Sequence, residues 1–238
     1  MGIKRGSITT SVVADGLVYN LDAANRASTI PVSTIETSFN TINLTESGSF
    51  SDNGIFDSST ITPSFAFDGT NDYIDCGTIS SFDDGDISFA LWCNLTSNGT
   101  FQYILSTTNS STVSGINIAI NSSGLIHFER AQDVANTQNS TGYVVSGLSY
   151  GNWHHLCGTY NATSGELKAY VDGVLKSTTN NSADARSAST ALKIGGLSAS
   201  SSLPANGNIS TIHIYNRALS ANEVLHNYNA LKGRFGLS

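Results

Sequence analysis

The chain has 238 residues, of which only 12% are charged, and 18 acidic against 11 basic residues give a formal net charge of −7. The few lysines and arginines form no basic patch, which excludes the electrostatic footprint of a nucleic-acid binder, and no apolar run approaches the roughly 18 residues of a membrane-spanning helix. Ser, Thr and Asn together fill 83 positions while 39% of the residues are hydrophobic, a balance that suits many short strands joined by many turns, because these small polar side chains bond locally to the backbone and resist helix interiors.

In chain order, Met1–Ser11 has Lys4 and Arg5 among small residues and no apolar stretch of a secretory leader, so it is expected to be an extended arm. Gly16 to Asp22 alternates as a strand does, and Asp22 to Asn53 is polar and loop-like. Phe65-Ala66-Phe67 stops at Asp68-Gly69, and Tyr73 to Cys76 follows as a short strand. The run Ile87 to Leu95 places Ile87, Phe89, Leu91, Cys93 and Leu95 on one face, and that face is expected to be the buried one. Ile116, Ile118 and Ile120 make the next stripe, turned by Ser122-Ser123-Gly124 into Leu125 to Glu129. Trp153–Tyr160 and Leu167–Val171 are strands, and Asp172-Gly173 predicts a two-residue type I′ hairpin into Val174-Leu175-Lys176. Leu192–Ile194 and Ile209–Tyr215 complete the strands. Ser220-Ala221-Asn222-Glu223 is a capping box opening a helix with Val224, Leu225, Tyr228 and Leu231 at helical spacing, stopped by Gly233. The pattern predicts an all-β, two-sheet antiparallel sandwich of jelly-roll type with one short C-terminal helix.

Five blocks in this order resemble the laminin-G-like, concanavalin A-like lectin/glucanase jelly rolls: Phe65 to Ile74, Ile87 to Trp92, Trp153 to Tyr160, Leu167 to Gly173, and Gly207 to Ser220. The resemblance spans Gly16 to Asn229 and implies an arm at 1–15, the jelly roll at 16–232 and a tail at 233–238. The opening Gly16–Asn25 and the ending Tyr228–Leu237 further resemble laminin-G-like proteins of tailed, chiefly marine, phages, in which the module is a virion component. That implies a non-enzymatic structural protein, a capsid decoration, head fibre or tail appendage, assembled in the host cytoplasm. Its implied partners are other capsid or tail proteins, further copies of itself in a homo-oligomer (a trimer by preference), and host or environmental glycans, with no nucleic acid and no membrane insertion. The alternative is a free-standing carbohydrate-binding lectin or adhesin; a glycoside hydrolase comes third.

The residues offer several sites. Asp68, Gly69, Asn71 and Asp72 could supply the first half of a structural calcium site of the kind the resemblance implies, and Ser210 stands where relatives carry an acidic ligand; the other reading is that Asp68 and Asp72 organise an Asx turn. No other cofactor is expected. A retaining glycosidase needs carboxyls about 5–5.5 Å apart, and none of the five glutamates (36, 46, 129, 166 and 223) lies within four positions of another. Asp83, Asp84 and Asp86 are expected to be loop charges, and His127 and Glu129, on one strand face, a surface pair. His154 and His155 must point to opposite faces of their strand and cannot share an ion, with Trp153 expected to pack inward. Cys76, Cys93 and Cys157, odd in number and without metal-ligand spacing, are expected to be small core hydrophobes. Phe101, Tyr103, Tyr143, Tyr150 and Trp92 are the rings available to a glycan.

Overall fold

A computed structural model describes residues 12–23, 64–76, 85–107, 115–131, 148–180, 191–197 and 203–238. The arm at 1–11, Asp83, Asp84 and Tyr143 lie outside the described residues. Among the described residues twelve strands and a helix follow in chain order: β1 (Leu17–Asp22), β2 (Phe65–Asp68), β3 (Ile74–Asp75), β4 (Ile87–Leu95), β5 (Gln102–Ser106), β6 (Gly115–Ile120), β7 (Ile126–Ala131), β8 (Trp153–Asn161), β9 (Glu166–Val171), β10 (Val174–Asn180), β11 (Lys193–Ile194), β12 (Asn206–Tyr215) and α1 (Ala221–Leu231). One sheet runs β1-β12-β4-β8-β9-β10, with β2 pairing the first half of β12; the other runs β3-β11-β5-β6-β7, and every pairing is antiparallel.

The alternation read from the sequence builds the core. Ile87, Phe89, Leu91, Cys93 and Leu95 of β4 meet Ile116, Ile118 and Ile120 of β6 in one buried cluster between the sheets. Gln102, fully buried, ties the two layers at one end: its Nε2 donates to the Thr96 carbonyl at 3.1 Å and its Oε1 accepts from the Asn206 amide at 2.7 Å. The hairpin forms as predicted, with Asp172 and Gly173 at φ 53° and 75°. All three cysteines are buried free thiols.

The opposite face of β4 departs from expectation. Ser88, Ala90 and Trp92 are as buried as the inner face, because the C-terminal segment covers them. Ser220 caps α1 through the predicted box, accepting from the Glu223 amide while the Glu223 carboxylate accepts from Ser220. The helix runs into a 3-10 turn over Lys232–Phe235, and Gly236 at φ 75° ends it rather than Gly233. Val224 faces the sheet while Leu225, at the adjacent helical position, stays exposed. Phe235 stacks on Trp92 at 4.1 Å between ring centroids and packs against Trp153 at 4.8 Å. Trp153 therefore points to the α1 side and not into the sandwich. The ordered packing includes residues assigned to the tail, since Arg234 pairs with Asp22 at 2.8 Å and donates to the Ser210 hydroxyl at 3.0 Å.

Candidate functional site

The five-stranded sheet carries two unlike faces, fixed by register. Ile74, Ile194, Leu105, Ile118 and Phe128 pair in sequence across its strands and point into the core. One residue along, Asp75 pairs with Lys193, Lys193 with Ser106, Ser106 with Asn117, and Asn117 with Glu129. Partners in one cross-strand row share a face, so a polar row crosses all five strands on the outside of the sandwich. The next row on that face joins Tyr103, Ala119 and His127.

The row is not a solvated surface. Ser106, Asn117, Lys193 and Glu129 are buried, and His127 and Glu129 are each only 7% exposed, which corrects their reading as a surface pair. Asn117 donates to the Glu129 carboxylate at 2.9 Å. Burial pushes the His127 imidazole below its usual pKa, against a smaller upward pull from Glu129. Aromatic rings flank the row: the Lys193 ammonium sits 4.2 Å over the Tyr73 ring, and Phe101 lies 5.2 Å from Tyr103 and 6.3 Å from His127. Asn117 and Glu129 thus satisfy one another, as buried polar groups must, and the part-buried members at the rim of the row are Asp75, Tyr73, Phe101 and Tyr103.

The remaining sequence-derived candidates separate from this row. Trp92 is completely buried under Phe235 and Tyr228 and offers no platform. Tyr150 is half-buried beside the Gly124 turn. Asp86 accepts from the Ala162 amide at 2.7 Å and so caps a turn.

At the Asp68-Gly69 turn, Asp68 accepts from the Thr70 amide at 2.7 Å, and Asp72 accepts from the Asp68 amide at 2.9 Å. This is the Asx arrangement. Burial, the largest influence, raises the Asp72 carboxyl, and the Asp68 amide opposes it. The residue facing Asp68 across β2 and β12 is Asn206, whereas Ser210 is held by Arg234. Among the described residues no group of three or more His, Cys, Asp or Glu gathers to hold a metal. No step below runs through a metal.

A Ser–His–Asp chain emerges that the sequence did not reveal. His154 Nδ1 lies 2.8 Å from Asp172 Oδ2, and His154 Nε2 lies 2.9 Å from Ser149 Oγ. The Ser149 amide also donates to Nε2 at 3.3 Å, which fixes Nε2 as the acceptor and Nδ1 as the donor. Burial alone would raise the Asp172 carboxyl; bonds from His154 and the His155 amide outweigh it and hold it below the usual range. With a main-chain amide of its own serine bound to Nε2, the imidazole is a strut pinning the 149–152 turn to the 172–173 hairpin. His155 points the other way, tilted against Trp92 at 5.3 Å, as alternation requires.

Two stacked antiparallel sheets with a ring-flanked polar row on one outer face define a jelly roll of the lectin type. The chain belongs to the Laminin_G_3 family of the concanavalin A-like lectin/glucanase superfamily, whose model matches residues 68–225. Among solved structures it is similar to the native heptameric SAP-like pentraxin of Limulus polyphemus, with a TM-score of 0.53 and 17% identity over 67% of this chain and 78% of that one. It is also similar to the CBM40 of the Ruminococcus gnavus IT-sialidase bound to α2,3-sialyllactose, with a TM-score of 0.54 and 16% identity over 68% and 92%. Identities this low speak for the fold alone. No curated protein matches the chain by sequence.

Proposed function

We propose that this chain is a non-enzymatic glycan-binding module displayed on a tailed-phage particle, where it decorates the capsid or serves as a fibre or tail appendage. The outer row of the five-stranded sheet carries the binding half of this reading. At its rim the Lys193 ammonium lies over Tyr73, Asp75 is part-buried, and Tyr73, Tyr103 and Phe101 offer part-buried ring faces. Mixed donors and acceptors beside aromatic faces match a polyhydroxylated ligand, whose hydroxyls do both and whose C–H faces stack on rings. The family supports a lectin-like role, and the bound sialyllactose of the R. gnavus relative supports a saccharide. The virion half rests on the Gly16–Asn25 and Tyr228–Leu237 blocks. Their described parts meet where Asp22 pairs with Arg234 at 2.8 Å, and just before each block Val13 donates to Asn227 at 2.8 Å.

The test is a glycan array run with and without chelator, followed by titration of any hit. Tyr103→Ala and Phe101→Ala should each weaken binding up to about tenfold, near the upper end of the ~0.5–1.5 kcal/mol of a lost ring contact, with the chelator making no difference. Absence of any hit, or variants that bind as the unaltered chain does, removes the glycan reading. Co-purification with intact particles decides the virion reading separately. Sugar affinity without particle association would favour the free-standing lectin.

A further inference from the structure

We infer that the segment from Tyr228 to Phe235 is an acid-released cover, which seals the outer face of the seven-stranded sheet at neutral pH and lifts off when His155 and His213 beneath it take up protons. The polar row belongs to the other sheet, so this release is independent of glycan binding. Register sets the arrangement: Ala90 of β4 stands between His213 of β12 and Cys157 of β8, and in the next row Trp92 stands beside His155. These side chains share the face that turns away from the sandwich core, and all of them are buried. The cover accounts for that burial. Tyr228 and Phe235 stack on Trp92 at 5.6 and 4.1 Å between ring centroids, Tyr228 lies 6.2 Å from His155, and Arg234 ties the far end to Asp22 and Ser210.

His155 is the misfit under this cover. It is 1% exposed, and neither ring nitrogen has a hydrogen-bond partner in the protein, whereas buried polar atoms are nearly always bonded. An imidazolium there would bury a full charge and two N–H donors, and the faces of Trp92 and Tyr228 offer neither donor a lone pair. The surrounding charges are already engaged. Asp172 of the β9–β10 hairpin accepts from the His154 ring and the His155 amide, and Asp22 of β1 pairs with Arg234. Arg234 opposes a charge on His213, as His213 does on His155, and Lys232 adds a cation to the cover at 5.9 Å over the Tyr228 ring. His226 of α1 is exposed. Cys157, Tyr170, Tyr215 and Tyr228 complete the surroundings, and burial pushes each of them up, so all four stay neutral.

Burial is the largest influence on both histidines and holds them well below the ordinary 6.5 while the cover is closed. With the cover lifted, water reaches both rings and they titrate near 6.5. Below that pH the open form therefore binds two protons that the closed form refuses. At pH 5 each proton favours opening by about 30-fold, and the two together by about 1,000-fold. No strand pairs with the segment among the described residues, so it can lift while the ladders on either side of β4 stay intact, leaving Trp92 and Trp153 uncovered. Buried histidines under a short packed segment are the parts of a pH-sensitive contact.

Hydrogen exchange of the full chain, corrected for the intrinsic dependence of exchange on pH, tests this directly. Between pH 7 and 5 the amides of residues 228–235 should lose protection at least ~30-fold, while those of β4, β8 and β12 keep theirs. Emission of the two tryptophans, Trp92 and Trp153, should shift to the red over the same range and return when the pH is restored. His155→Phe keeps a buried ring but removes one titration, and should move the release roughly one pH unit lower. Should that variant fail to fold, the exchange series on the unaltered chain still decides. Protection of 228–235 that does not change from pH 7 to 5, loss of protection by all strands together, or a release that His155→Phe leaves in place would each overturn the proposal.

Discussion

Replacing Phe235 by alanine tests whether the final residues are a tail or part of the fold. Phe235 is 6% exposed and lies between Trp92 and Trp153, with ring centroids 4.1 and 4.8 Å away. Removing a buried phenylalanine costs roughly 3–5 kcal/mol, of which stacked aromatic pairs supply about 0.5–1.5 each. Only three residues follow it, so the turn can undock locally, which caps the loss; we expect about 3 kcal/mol. In a chain of this size each kcal/mol moves the midpoint by about 2–4 °C, giving a fall of roughly 6–12 °C by calorimetry or far-ultraviolet circular dichroism. Because Trp92 loses its cover, its emission should also shift to the red. A midpoint within 2 °C of the unaltered chain, with unchanged emission, would show that residues 232–238 contribute nothing and would refute the two-sided burial of β4.

Acid should destabilise the protein before carboxylates titrate. Burial holds His155 at about 3 and His213 at about 4, below the ordinary 6.5, so the stability from their neutral forms is complete above about pH 6.5 and is lost as pH falls toward those values. For His155 alone the loss at pH 5 is on the order of 2 kcal/mol, and His155→Gln should flatten the slope of stability against pH between 6.5 and 5; an unchanged slope counts against it. Gly195→Ala should cost about 3 kcal/mol or more in urea unfolding, since φ is 82° and the new methyl would overlap the Phe67 ring; a neutral outcome would mean that the ring is free to move. Ser149 should resist a fluorophosphonate probe despite its bond to His154, and stoichiometric labelling followed by mass spectrometry would contradict the strut reading.

The sequence alone determined most of the strands (β5 excepted), the hairpin, the capped helix and the sandwich. Each depends on neighbours within a few residues: alternation sets a strand's two faces, Asp172-Gly173 admits the positive φ values of its turn, and Ser220 with Glu223 closes the first turn of α1. It also separated His154 from His155 by parity alone. It could not rank the two faces of β4, because burial of Trp92 depends on Phe235, which lies more than a hundred residues away and gives no periodic signal. The polar row was hidden for the same reason. Asp75, Lys193, Ser106, Asn117 and Glu129 come from five strands, and only hydrogen-bond register brings them together. The bulge in β5 shifts that register in a way side-chain alternation does not record. Local chemistry chose the elements; long-range pairing chose which side chains share a surface.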